Sequence, residues 1–389
     1  MTAAVARPSL PAPRVDGWLL VSALALALTG VVMVASASIT MADQTLGEPF
    51  HYLVRQVAYL AVGVAVAAGF VVVPLRAWEA LGPYLLGIAF LLLVAVLIPG
   101  VGREVNGAAR WLPLGPVNMQ VSEPARLLIV LYMCGYVARR RESLEAGFRG
   151  LMMPLGVLLV AAVLLLMEPD FGAMTVLMAT ALGILFVGGM RVRDLLVLVG
   201  VGAAGLVGLV VTSEYRMRRL TAFMDPWADP WDSGFQLTQS LIAIGRGEWL
   251  GVGLGGSVQK LFYLPEAHTD FVFAVFAEEL GLAGVVVLLA LYGIVLWRAF
   301  AISTAAAAAG RVFAACLAFG LGTWIGAQAF VNIAVNMGLL PTKGLTLPLV
   351  SFGGSSLLVC CAGVGLLMRI HYELAADGFA GRRPRRAGS

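Results

Sequence analysis

The stretch LPEAHTDFVFAVFAEELG, Leu264 to Gly281, carries Glu266, His268, Asp270, Glu278 and Glu279 across the border between a polar loop and an apolar run. A carboxylate placed like Asp270 can take a proton from an attacking hydroxyl, or it can cap the helix that starts there. Position alone favours the cap. Glu278 and Glu279 lie roughly 12 Å deeper by helical rise. An ionisable group in an apolar helix needs a partner, and an ion pair with an arginine of a neighbouring span is a simpler reading than catalysis. Glu266, His268 and Asp270 offer nitrogen and oxygen ligands, but one histidine is a weak zinc signature. A loosely held Mg²⁺ or Mn²⁺ shared with a pyrophosphate-bearing ligand is the metal chemistry they suit.

The elements that must position these groups follow from composition. Of 389 residues, 60% are hydrophobic and 12% charged, with mean hydropathy +0.92, which is a membrane composition. Apolar runs long enough to cross about 30 Å of hydrocarbon recur along the chain, and helices satisfy their own backbone polar groups there. Ten spans are expected, near 17–38, 52–73, 82–98, 123–138, 151–167, 172–189, 194–212, 270–297, 312–337 and 352–370. The fold class is therefore all-α and polytopic. A short segment (1–16) precedes the membrane domain (17–370), and a basic tail (371–389) follows it. The first run resembles a signal sequence but has no clear cleavage site, so it is expected to stay. Cys134, Cys316, Cys360 and Cys361 sit in apolar runs without metal or redox spacing and read as small hydrophobes.

Placing both termini in the cytoplasm puts 16 of the 26 basic residues on the inside, as the positive-inside rule expects. The tail GRRPRR suits anionic lipid headgroups better than nucleic acid. The long loop 213–269, between the seventh and eighth spans, then faces outward and is too rich in tryptophan to read as disordered. Its part FQLTQSLIAIGRGEWLGVG fits a short interfacial helix ended by glycine. Loops 99–126 and 338–356 open on the same face. Ten basic residues lie on that face, among them Arg110, Arg126, Arg246 and both lysines of the chain, Lys260 and Lys343. They suit a phosphate-bearing ligand, with pairing to the 13 acids of the same loops as an equally weighted alternative.

Three lookalike motifs are set aside. GVGLGG (Gly251 to Gly256) has no βαβ unit around it, PDFG (Pro169 to Gly172) reads as a turn between spans, and GGSS (Gly353 to Ser356) reads as a helix cap.

Three segments together carry a resemblance: GLGGSVQKLFYLPEAHTDFVFAVFAEELG, VNGAARWLPLGPVNMQVSEPAR and PTKGLTLPLVSFGGSS. They resemble the signature loops of the SEDS family (shape, elongation, division, sporulation), integral-membrane peptidoglycan glycosyltransferases, over about residues 18 to 370. Their wording is closer to the division-type branch. Gly256, Ala109 and Phe352 depart from the family's Asn, basic residue and Tyr. The resemblance implies polymerisation of lipid II on the outer face of the cytoplasmic (inner) membrane at the division septum. The reaction would be a single inverting displacement of a lipid pyrophosphate. Asp270 matches the family's essential aspartate and is the implied base. Lys343, Arg246, Lys260, Arg110, Glu266, His268 and Ser351 are the candidate substrate-binding residues. Implied partners are a class B penicillin-binding protein transpeptidase (FtsI-like), reached through transmembrane helices, and other division proteins of the FtsQ, FtsL and FtsB type. A lipid II flippase or transporter would need the same ten-span bundle, with Glu278, Glu279, Glu168 and Asp170 as intramembrane carriers of coupling ions, and a non-enzymatic division scaffold is the third reading.

Overall fold

The computed structural model describes residues 15–381 apart from 106, 107, 116, 233, 262, 342 and 343. Among these residues the chain forms twelve helices and one small sheet. Ten helices make the bundle: α1 Gly17–Leu46, α2 His51–Val72, α3 Leu75–Leu97, α4 Ser122–Ala146, α5 Phe148–Met167, α6 Phe171–Val187, α7 Val192–Val211, α10 Val272–Ala308, α11 Val312–Asn336 and α12 Gly354–Gly381. The other two, α8 (Glu214–Met224) and α9 (Phe235–Arg246), lie in the long loop. The ten expected spans correspond one to one with the ten bundle helices. Eight of these are long and apolar enough to cross a membrane, and α6 is a shorter apolar helix. The remaining one, α4, carries Glu123 and Arg126 near its start and a charged run from Arg139 to Glu145 near its end, yet its middle is buried. α9 ends at Gly247, as the glycine in that stretch predicts.

Nothing in the hydropathy pattern points to the sheet. β1 (Arg103–Val105), β2 (Ala108–Leu114) and β3 (Val117–Gln120) form an antiparallel meander in the loop between α3 and α4. Arg103 is opposite Trp111, and Trp111 is opposite Gln120.

Local chemistry sets the helix ends. Asp16 caps α1 by accepting from Leu19 N at 3.1 Å, and Gly47 closes that helix at φ +70°. Asp16 also takes a forked contact from Arg298 of α10, at 2.9 and 2.7 Å, which ties the two helices at the same end. Small residues let helices approach closely. A Cβ on Gly63 of α2 would come within 2.9 Å of the Cys361 sulfur of α12, and one on Gly365 within 2.5 Å of the Ala67 carbonyl. The core runs through α4, α11 and α12 and includes Trp324, with no exposed surface. By contrast, α2 and α7 present mostly exposed apolar side chains, as helices bordering lipid do.

α10 is not one straight helix. It breaks at Gly281 (φ 62°, ψ −167°), leaving a short half-helix, Val272–Leu280, and a longer remainder. A strand-like piece of the long loop mends the break. Val252 N and Gly253 N donate to the Glu278 and Glu279 carbonyls at 3.0 and 3.1 Å, while Leu282 N and Ala283 N donate to the Glu248 and Trp249 carbonyls at 2.9 and 3.0 Å. Irregular backbone at membrane depth survives where protein satisfies it. Only glycine suits position 281, because its φ is positive and a Cβ would lie 2.4 Å from Gly251 N.

Candidate active site

The half-helix Val272–Leu280 delivers Asp270 to a cleft formed by three loops. Asp270 is half-buried and does not cap the helix: the residue at the N-cap position is Phe271, and no side chain caps it. What holds Asp270 is its main chain. Its carbonyl accepts from Asn332 and Asn336 of α11 at 2.9 and 3.1 Å. A buried amide pair thus fixes the backbone and leaves the carboxylate to other uses. Burial, reinforced by the Glu266 carboxylate, pushes the Asp270 carboxyl up to about 7; the Arg110 guanidinium acts against this shift and Asp170 adds to it.

Arg110 reaches the cleft from β2. Its Nε donates to the Glu168 carbonyl at 2.9 Å and its Nη2 to the Pro169 carbonyl, so it pins the sheet to the turn between α5 and α6. That turn carries two acids. Asp170 caps α6 through Ala173 N at 3.0 Å and accepts from the Ser122 hydroxyl at 2.8 Å. Glu168 is fully buried with both carboxylate oxygens unpartnered among the described residues. Burial, with Asp170 adding to it, pushes its carboxyl up to about 8 against the opposing effect of Arg110. In the flippase reading Glu168 and Asp170 are ion carriers and have no tie to Arg110. Their closeness to Arg110 depends on the sheet, which hydropathy does not reveal.

Ser351 and His268 stand behind Asp270. The Ser351 hydroxyl donates to the Thr269 carbonyl at 2.6 Å and accepts from Leu347 N at 2.8 Å, and Phe352 N donates to the His268 carbonyl at 2.9 Å. These bonds splice the loop before α12 to the loop carrying Asp270. His268 is buried between Tyr52 and Phe352, with ring centroids 4.6 and 5.6 Å away, and burial lowers its pKa. Glu266 is exposed, sits at φ +56°, and accepts from the Thr269 hydroxyl at 2.7 Å. A non-glycine residue in that region is strained backbone beside the cleft. Glu266, His268 and Asp270 do not fit a divalent cation, since one carboxylate is engaged outward and the imidazole is wedged between rings. No cluster of three metal-binding side chains occurs among the described residues.

The other candidate cations separate from this cleft. Lys343 lies outside the described residues. Lys260 contacts Glu279 at 2.8 Å and Arg246 contacts Glu278 at 3.4 Å, one layer deeper in the molecule. Glu279 also takes the Ser36 hydroxyl of α1 at 2.7 Å, and Glu278 takes the Ser257 hydroxyl and Val258 N. The expected ion pairs of Glu278 and Glu279 therefore exist, but their partners come from the long loop and not from a neighbouring span. Arg126 is likewise withdrawn from the surface. It is buried against Glu123 at 3.2 Å and over the Trp324 ring at 5.3 Å. In the GGSS stretch, Ser355 accepts from Gln120 N and Ser356 from the Thr346 hydroxyl, so these serines tie loops together.

A family model described as cell cycle protein, covering FtsW, RodA and SpoVE, matches residues 17–376. A probable peptidoglycan glycosyltransferase FtsW of Thioalkalivibrio sulfidiphilus is 58% identical over 367 residues, 94% of this chain and 92% of that protein. One of Nitrosococcus halophilus is 55% identical, covering 93% of each. Among solved structures, a chain from a peptidoglycan synthase complex that coordinates polymerization and crosslinking superposes with TM-score 0.77 at 33% identity, covering 92% of this chain and 98% of that one. The Thermus thermophilus rod shape determining protein RodA gives TM-score 0.67 at 31% identity, covering 92% and 96%.

Proposed function

Given that this chain belongs to the FtsW/RodA/SpoVE family of cell-cycle proteins and is a peptidoglycan glycosyltransferase, we propose that Asp270 is its general base. The acceptor is the free 4-hydroxyl of a lipid-linked disaccharide, and the donor is lipid II or a strand grown from it. The carboxylate takes the hydroxyl proton as the oxygen bonds to the donor's anomeric carbon. The carbon–oxygen bond to the lipid pyrophosphate breaks, and its electron pair leaves with the pyrophosphate. A pyrophosphate departs without a paired acid, so one carboxylate and nearby cations are enough, with inversion at the anomeric carbon. Arg110 receives the departing charge, and Lys343, which the sequence resemblance singles out, is the second cation proposed for it.

The observation that carries this reading is the state of Asp270: an uncapping carboxylate, held by its main chain, with its pKa near neutrality. A base poised near the working pH combines availability with proton affinity. The same geometry argues against a flippase. The carbonyls freed by the single break in α10 are taken by loop N–H groups, and Glu278 and Glu279 are neutralised by Arg246 and Lys260.

The cleft is proposed to face outward, with both termini in the cytoplasm, residues 17–370 as the membrane domain and the basic tail on anionic lipid. The likeness to a chain of a synthase complex that joins polymerization to crosslinking supports a transpeptidase partner for this chain. Purified protein given labelled lipid II tests the function. Glycan strands are the expected product; transbilayer movement without strands would establish the flippase, and neither would leave a scaffold.

A further inference from the structure

The glycine run Gly251–Gly256, which belongs to no dinucleotide fold, has a place in the molecule that the cleft at Asp270 does not use. Its last residues wall a cavity of about 420 Å³, opposite Ser36, Ile39 and Thr40 of α1 and beside Lys260. Gly253 and Gly255 have positive φ, and a Cβ at either would meet nothing within 4 Å, so bare backbone borders open space. Lys260 is 8% exposed. It gives one hydrogen bond to Glu279 and one to Ser36, which leaves a third ammonium proton for a ligand. A second cavity, of about 300 Å³ and mostly apolar, lies next along α1, with Leu28, Val32 and Met33 of α1 facing Leu254 and Leu280. Met33 and Ser36 are one turn apart on α1, and Leu254 precedes Gly255 in the loop.

Depth gives these two chambers a meaning. Ser36 lies 19 residues beyond Gly17, and Glu279 lies 19 residues before Arg298, which is paired with Asp16. At 1.5 Å per residue both counts put the Lys260 cluster about 28 Å from that pair, near the far edge of a hydrocarbon layer of about 30 Å. Asp270 precedes Glu279 by nine residues, so the base stands up to about 13 Å farther out. The donor's phosphate is bonded to the reacting carbon and must lie at Asp270. The acceptor reacts through the hydroxyl of its outer sugar, a disaccharide's length from its own pyrophosphate. A cation set back from the base by such a distance, with an apolar groove beneath it, suits the acceptor.

We propose that the Lys260 cavity holds the pyrophosphate of the lipid-linked acceptor, and that the groove between α1 and α10 holds its polyprenyl tail. The assignment to the acceptor rests on the glycosyltransferase reading above. The third Lys260 proton, the Thr40 hydroxyl and the glycine backbone are the groups that meet the phosphate oxygens.

The test uses the full chain in phosphatidylcholine nanodiscs with benzoylphenylalanine in place of Ile39 or Val32, and radiolabelled polyprenyl pyrophosphate as probe. Photolabelling is expected at both positions. It should fall at least tenfold with excess unlabelled polyprenyl pyrophosphate and hold with equal phosphatidylglycerol. Absence of labelling, or equal competition by phosphatidylglycerol, overturns the site. Thr40→Trp, which fills the upper chamber, should raise KM for lipid II at least tenfold with kcat within twofold and the melting temperature unchanged. An unaltered KM overturns the acceptor role. Labelling should persist in Asp270→Asn, so failure of Asp270 as base does not move this result. Absent labelling with polymerisation intact overturns the site alone.

Discussion

Replacing Asp270 with Asn removes the proton acceptor and almost nothing else. The Asp270 carbonyl stays bonded to Asn332 and Asn336, and no helix cap is lost because the side chain makes none. The carboxyl stands near pKa 7 chiefly through burial, so a neutral amide there is no less compatible with the fold than the carboxylate. The melting temperature should hold or rise. General bases contribute about 10² to 10⁴ in rate, which is about 3 to 5 kcal/mol of barrier, and the variant should lose strand formation on that scale. Asp270→Ala should behave the same, without the ~1 kcal/mol penalty that follows loss of an N-cap. The assay is glycan-strand formation from lipid II by purified, folded variants, alone and with the transpeptidase. Near-normal strands from Asp270→Asn would falsify the catalytic assignment. A stable, active Asn variant beside a destabilised Ala variant would restore the helix-cap reading.

With the Asp270 carboxyl near 7, strand formation should rise about fivefold from pH 6 to pH 7, reach about tenfold by pH 8 and then level off. A flat profile over that interval would remove the base. The same raised pKa means that stability linked to Asp270 is present below the unfolded value near 4 and is lost as pH rises through about 7, so activity and stability should run in opposite directions. Glu279→Gln leaves Lys260 without its buried partner and should cut folded yield, in the range of about 3 to 5 kcal/mol for breaking a buried pair. Adding Lys260→Met should recover yield, and Glu278→Gln should cost less because Arg246 is about half exposed. Arg110→Lys should lower turnover without restoring the two carbonyl contacts of the fork, measured as kcat at saturating lipid II. Trp231 is 83% exposed, and all four native cysteines are buried. Trp231→Cys should therefore react with an impermeant thiol reagent from outside, and labelling only after lysis would reverse the proposed orientation.

The helices were legible because hydrocarbon demands long apolar runs, and eight of the ten bundle helices are such runs. α4 was legible only in part. Hydropathy follows its apolar middle but gives no sign that Arg126 turns inward onto Glu123 and Trp324. The sheet was not legible, because its strands are three to seven residues long and alternate weakly. The break at Gly281 was hidden because glycine is common in membrane helices and the groups that mend it lie some thirty residues upstream. Asp270 was found by its motif and its place at a loop-to-helix border. Its release from capping duty was not, since that depends on Asn332 and Asn336, on successive turns of α11, which sequence alone does not bring near.

The tight seam between α2 and α12 joins the second helix of the bundle to one made far later in synthesis. Gly63 meets Cys361 there, Gly365 meets Ala67, and the Tyr59 ring lies against Gly354. Arg369 and Glu373 of α12 also reach the Val71 carbonyl and Leu75 N, at the junction of α2 and α3. During synthesis these early helices must therefore wait in the bilayer, with Gln56 and Gly63 facing lipid or an insertion chaperone, until α12 leaves the ribosome. Assembly of this bundle is late and nonlocal, so shortening α12 should leave the first third of the chain inserted but unlatched, an early target for membrane proteases.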